Sequence, residues 1–215
     1  MQSTSSAVRF LAAGALAAVL LGGAGAGAGQ AAAAPAQGAA VAASVQGPAV
    51  AHTAAYGRLH PIADLSARRL ATADLVAAAK YGTDSPIDDP ARERQVLDDV
   101  ARQAREMGAD PEVTVRIFRD QIEANKVVQR ALHHRWGADP SKAPTERPDL
   151  AEVRKEINRV NGELVRAIAG SAATRTALYC GGLLTAAAVH VRHDRQLDAL
   201  HTVALERVLR SVCGA

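Results

Sequence analysis

The chain has 215 residues, a formal net charge of +3 and only 3% aromatic residues. Its length suits one domain once an N-terminal segment is set aside. Basic and acidic residues are interspersed with no basic block. That excludes the positive, aromatic-lined face expected of a nucleic-acid binder.

Residues 1–36 read as an export signal. Arg9 supplies a sparse positive start, Phe10 to Leu21 an apolar core, and a Gly/Ala run ends in A-x-A patterns near Ala34 or Ala36. A membrane span needs roughly 20 apolar residues. The apolar core is shorter, so no stable anchor is expected after cleavage, and the product would be secreted or periplasmic. There is no twin-arginine pair, which favours the general export route. Removing Arg9 with the signal leaves a net charge of +2. Residues 37–56 are Ala/Gly/Gln/Pro/Val-rich, without charge or period, and read as a disordered tether. The globular part is then 57–215.

Everything after residue 57 reads as helix. No alternating β-branched run and no Asn-Gly turn appears. A first helix is expected from Pro61, a good first-turn residue, to Tyr81. Gly82 to Pro90, with one Gly and two Pro, breaks it. A second helix, Pro90 to Met107, is capped by Asp88 or Asp89 and stopped by Gly108. Asp110 and Pro111 open a third, which runs to about Trp136 and stops at Gly137. Residues 138–148 form a proline-containing connector. Asp149 caps a fourth helix with an apolar stripe at Leu150, Val153, Ile157, Val160, Leu164 and Ile168. Residues 172–213 form a helical hairpin with an expected kink at Gly181-Gly182. The fold class is all-α, a bundle of about five to six helices. There is no internal repeat.

The two cysteines, Cys180 and Cys213, follow an export signal. An even count in an oxidising compartment suggests one disulfide, which would pin the ends of the C-terminal hairpin. Loop closure gives it about 3.8 kcal/mol. A metal or redox pair fits less well, because there is no C-x-x-C and no His at ligand spacing. His190 and His193 are i, i+3, His201 follows, and His133-His134 are adjacent. Helical His pairs can bind zinc, but no acidic or thiolate ligand is placed alongside, so no metal site is expected.

The informative departures are polar residues on apolar stripes. Ile62, Leu65, Arg69, Ala73, Val76 and Lys80 step by three or four, as do Phe118, Ile122, Asn125, Gln129 and Leu132. Such stripes face the core, where an unpartnered charge is expensive. Arg69 and Lys80 return to one helix face about 16 Å apart, a spacing suited to two ends of a small dianion. Asn125 and Gln129 are i, i+4, so both amides point one way. Asp89-Pro-Ala-Arg92-Glu93 places a cation and a carboxylate just after the break. Arg154 sits beside the stripe of the fourth helix. No nucleophile–base pair accompanies them, so the set reads as a site that binds and polarises an anion. Singly, each residue has a plain structural reading: arginine stems covering the core, Lys80 at a helix C-terminus, Asp89 as a cap.

Five stretches, in order, resemble the all-helical chorismate mutases, and within them the exported subclass. They are Ser66-Ala-Arg-Arg69-Leu with Lys80, Pro86-Ile-Asp-Asp89-Pro-Ala-Arg92-Glu93, Asp110-Pro-Glu-Val with Ile117 to Ile122, Asn125 and Gln129, Pro148-Asp-Leu-Ala-Glu-Val-Arg154-Lys-Glu-Ile-Asn158, and Gln196-Leu-Asp-Ala-Leu200 ahead of Cys213. The resemblance implies the [3,3] rearrangement of chorismate to prephenate without a cofactor. It implies that Arg69 and Arg154 hold the two carboxylates, that Lys80 and Gln129 donate to the ether oxygen, and that Glu93 accepts from the ring hydroxyl. Arg92 and Asp89 would shape the pocket. Asn125 stands where the family more often has a small hydroxyl residue. The resemblance further implies a homodimer, with each site inside one chain. Some exported members carry Glu at the position of Gln129. An amide donates at any pH, so activity here is expected to hold from pH 5 to 8. The alternative is a catalytically silent secreted bundle that binds a small anion or a protein partner. The two readings part on whether Arg69, Lys80, Arg92, Gln129 and Arg154 converge on one cavity.

Overall fold

The computed structural model describes residues 48–214; the expected signal segment lies outside them. Seven α-helices are found among the described residues: α1 Pro48–Lys80, α2 Pro90–Glu106, α3 Pro111–Ala138, α4 Leu150–Gly170, α5 Ala172–Arg175, α6 Cys180–Asp194 and α7 Ala199–Val208. No strand occurs among these residues. Six helices have ten or more residues and α5 is a single turn, in line with the all-α bundle expected.

Side chains cap the helices as the sequence indicates. Asp89 accepts from the Arg92 amide at 3.0 Å, and Asp110 from those of Glu112 and Val113 at 2.8 and 3.1 Å. Asp149 accepts from Ala151 at 2.7 Å. Each satisfies an amide that a helix start leaves unpaired. Gly82 and Gly108 end α1 and α2 at φ of 69° and 68°, a left-handed conformation that favours glycine.

α1 is the central element. It packs against α4, α6, α3 and α7, while α2 lies on α3 and α4. Leu59, Ile62, Leu70, Ile117, Phe118, Leu164, Ile168 and Leu205 are fully buried and join these helices in one core. The described residues behave as one hydrophobic unit.

Two expectations are corrected. The first helix does not start at Pro61: α1 begins at Pro48 and carries Pro61 inside it, so residues 48–56 belong to the helix rather than to a tether. Tertiary packing supplies the reason. Ala55 and Leu59 are buried, Tyr56 Oη lies 2.8 Å from His190 Nδ1 of α6, and the rings of His52 and Tyr179 meet edge to face. Pro61 and Gly57, the residue whose carbonyl loses its helical donor, are both exposed, so water can replace that bond. The second correction concerns Gly181-Gly182. They do not kink the hairpin; they sit in the first turn of α6, where amide groups need no helical partner. The chain turns instead at 176–179 and 195–198, the second turn using Gln196 at φ 51°. Cys180 opens α6 and is disulfide-bonded to Cys213 beyond α7, with Cα atoms 5.8 Å apart.

Candidate active site

A pocket of about 670 Å³, its mouth included, opens between α1, α2, α3 and α4. All eight residues singled out from the sequence line it: Arg69 and Lys80 from α1, Asp89 from the turn before α2, Arg92 and Glu93 from α2, Asn125 and Gln129 from α3, and Arg154 from α4. Val76, Ile87, Val96, Ile122, Leu150 and Ile157 supply apolar walls. Few polar groups on an apolar lining is the usual make-up of a small-ligand site.

Arg69 is 5% exposed. Its Nε donates to Asn161 Oδ1 at 2.9 Å and its Nη1 to the Gln121 carbonyl at 3.0 Å. Those bonds fix the guanidinium plane without neutralising it. Burial lowers its pKa to about 10, so it remains charged at neutral pH. Among the described residues no carboxylate pairs with Arg69, Arg92 or Arg154. Arg92 reaches neutral acceptors instead, Gln95 Oε1 at 2.7 Å and Asn158 Oδ1 at 3.1 Å.

Lys80 ends α1 and its Nζ donates to the Pro86 carbonyl at 2.7 Å. That bond folds the 81–89 connection over the pocket rim. Burial lowers the Lys80 pKa. Asp89 opposes this and Arg154 adds to it, which records how near the two cations lie. On α3, Asn125 gives Nδ2 to the Gln121 carbonyl at 2.8 Å, so one amide hydrogen is already engaged by its own helix. Gln129 is 5% exposed, and its buried Oε1 has no partner. That oxygen can only accept, so whatever completes it is a donor, while the Nε2 end of the amide remains to donate. Asp89 is both cap and pocket wall, so its two readings coexist.

With five cations on its walls against two acids, this pocket is electrostatically built for an anion. Comparison with known proteins identifies the lineage. Residues 61–130 match the family described as chorismate mutase type II. A "Secreted chorismate mutase" of Mycolicibacterium smegmatis is 37% identical over 155 residues, covering 72% of this chain and 86% of that protein. This chain belongs to the chorismate mutase family. A second protein of that printed name, from Mycobacterium tuberculosis, is 32% identical over 169 residues, 79% of this chain and 85% of the relative. The crystal structure of chorismate mutase from Burkholderia phymatum superposes with a TM-score of 0.69 at 36% identity, over 74% of this chain and 98% of that one.

One pocket residue of this chorismate mutase family member, and two residues that support the pocket from behind, escape a reading by stripes. Lys126 lines the cavity at 8% exposure and donates to Glu93 Oε1 and Oε2 at 3.1 and 3.3 Å. Burial opposes its charge, but hydrogen bonds from Glu123 and Glu93 outweigh that and raise its pKa. Its signal was the i+4 step from Ile122. Asn161 is 3% exposed, four residues after Ile157, and orients Arg69. Gln121 is fully buried, donates to Ser66 Oγ at 2.7 Å, and offers its carbonyl to both Arg69 and Asn125.

Proposed function

We propose that this chain rearranges chorismate to prephenate inside the α1–α4 pocket. The observation that carries the reading is the convergence of Arg69, Lys80, Arg92, Gln129 and Arg154 on one cavity, where no carboxylate among the described residues pairs with Arg69 or Arg154. Chorismate carries two carboxylates, and a guanidinium fork donates two parallel hydrogen bonds to such a group. Arg69 and Arg154 hold the two carboxylates and select the folded conformer. Holding reacting carbons in register replaces an improbable encounter by a bound geometry.

In the rearrangement the ether C–O bond breaks as a C–C bond forms within one molecule. No proton or electron passes to the protein. Negative charge gathers on the ether oxygen, and Lys80 Nζ and the Gln129 amide donate to it. Donors aimed at charge that develops only in the transition state lower the barrier rather than merely tightening binding. Glu93 accepts from the ring hydroxyl. Asn125 keeps one amide hydrogen for a substrate carboxylate. Asp89 holds the α2 start, and so Arg92, against the pocket.

We further infer an exported protein. The reading rests on the 1–36 segment, on the name "Secreted chorismate mutase" carried by two relatives and on the disulfide. No described helix is long and apolar enough to cross a membrane. The working assembly is a homodimer in which each pocket is formed by one chain. The test is direct: purified protein is incubated with chorismate while substrate loss and prephenate gain are followed. Turnover that Lys80→Ala abolishes is expected. An inactive wild-type chain, or a fully active Lys80→Ala, returns the molecule to the silent anion-binding bundle.

A further inference from the structure

Lys126 differs from the other pocket cations in having abundant partners. Its Nζ lies 3.1 Å from Glu93 Oε1, 2.6 Å from Glu123 Oε1 and 3.4 Å from Asp88 Oδ1. Three carboxylates from three segments thus meet one ammonium: α2, α3 and the 81–89 connection. Of these acids only Glu93 lines the pocket with it. Lys126 is therefore fully engaged before any ligand arrives, whereas Arg69 and Arg154 are not.

A carboxylate standing in a pocket for a dianion poses a problem. Left alone, Glu93 repels the ligand. It would also turn to the nearest available cations, Lys80 and Arg92, and occupy donors that the ligand requires. Lys126 removes both difficulties. It neutralises Glu93 from the α3 side and anchors both oxygens to that wall, leaving the cations of α1 and α4 free. We propose that Lys126 is the positioning residue that holds Glu93 aimed at the substrate's ring hydroxyl and keeps it off the carboxylate-binding cations. This inference rests on the chorismate mutase reading above.

Glu93 is surrounded by Lys126 and Glu123 from α3, Lys80 from α1, Asp88 and Asp89 from the connection, Arg92 on its own helix and Arg154 from α4. Removing the ammonium releases both Glu93 oxygens from the α3 wall and lets the carboxylate turn to the cations of α1 and α4. The effect on rate then depends on the Glu93 carboxylate being present. A brace that merely joined α2 to α3 would not behave so.

The experiment measures kcat/KM for chorismate from pH 5 to 8 in wild type, Lys126→Met, Lys126→Arg, Glu93→Gln and the Lys126→Met/Glu93→Gln pair, with melting curves for each. Lys126→Met is expected to lose about tenfold or more, the size of coupling seen within one ion-pair network. Lys126→Arg restores most of the rate. In the double variant the loss equals that of Glu93→Gln alone. Should Lys126→Met not fold, Lys126→Gln carries the same comparison. A Lys126→Met or Lys126→Gln variant with wild-type kcat/KM overturns the proposal. So does a double variant whose loss is the product of the single losses, since Lys126 would then act independently of Glu93. An inactive wild type is a different result: it removes the chorismate mutase reading itself, and this inference with it.

Discussion

Gln129 decides how this site should respond to pH. Its amide donates in every ionisation state, and burial lowers Arg69 to about 10 and Lys80 below its ordinary value. A stopped assay across pH 5 to 8 should therefore give a flat kcat, falling at higher pH as these cations lose their protons. Gln129→Glu should convert that plateau into a slope: active where the introduced carboxyl is protonated and can donate, and progressively inactive as it ionises beside the ether oxygen. A Gln129→Glu enzyme with a flat profile would remove the ether-oxygen role from this position. Arg69 makes a second test. Its Nε and Nη1 are held by Asn161 and Gln121, so the plane of the fork is fixed before substrate enters. Arg69→Lys keeps the charge and loses the fork. Its kcat/KM should drop by about 10², as when a bound substrate is held slightly out of register. These residues were visible in the sequence because they break an apolar stripe. Asn161 and Lys126 were not, because an Asn or Lys beside a stripe is ordinary on a helix surface. Only the approach of α4 to α1, and of α2 to α3, turns them inward.

At the scale of elements, α7 is tied to α1 by one histidine. His201 Nε2 lies 3.0 Å from Asp74 of α1, and its Nδ1 lies 2.8 Å from Asp198, the acid that caps α7. Asp74 and then Asp198 hold the imidazolium charged against burial, raising its pKa to about 9. Because the folded value lies above the ordinary 6.5, the contribution to stability is complete below about 6.5. It is lost as pH rises through about 9. His201→Gln should lower the melting temperature clearly at pH 6 and scarcely at pH 9.5; an equal loss at both would exclude the ionic tie. The caps and stops of α2, α3 and α4 could be read from the chain, since Asp89, Asp110, Asp149 and Gly108 act on their immediate neighbours. The start of α1 could not. Its first turns precede Pro61, which locally favours a helix start there, and they are helical because α6 packs beside them, with Ala55 and Leu59 buried and Tyr56 against His190. The same holds at Gly181-Gly182, where a local preference for breaking is overridden by the anchored start of α6.

For the whole molecule the disulfide and the pocket are separate devices. Cys180–Cys213 closes the α6–α7 end, whereas the pocket is made by α1 to α4. A Cys180→Ser/Cys213→Ser variant should lose up to about 3.8 kcal/mol of stability in urea titration. Its kcat should stay near wild type while it is folded. Loss of turnover without unfolding would show that the hairpin shapes the site. The sequence by itself determined the helical class, the cap positions and the four polar residues that interrupt apolar stripes, because periodicity, capping and charge on an apolar face are local properties; two cysteines allow one pairing, and the ordered resemblance added Asp89, Arg92, Glu93 and Arg154. The tertiary structure alone decided that those eight share one cavity, that among the described residues no carboxylate pairs with Arg69 or Arg154, and that several pair with Lys126. It also decided how far α1 extends toward the N-terminus. Each of these depends on which helices lie side by side, and partners distant in the chain leave no mark on the spacing of residues within one helix.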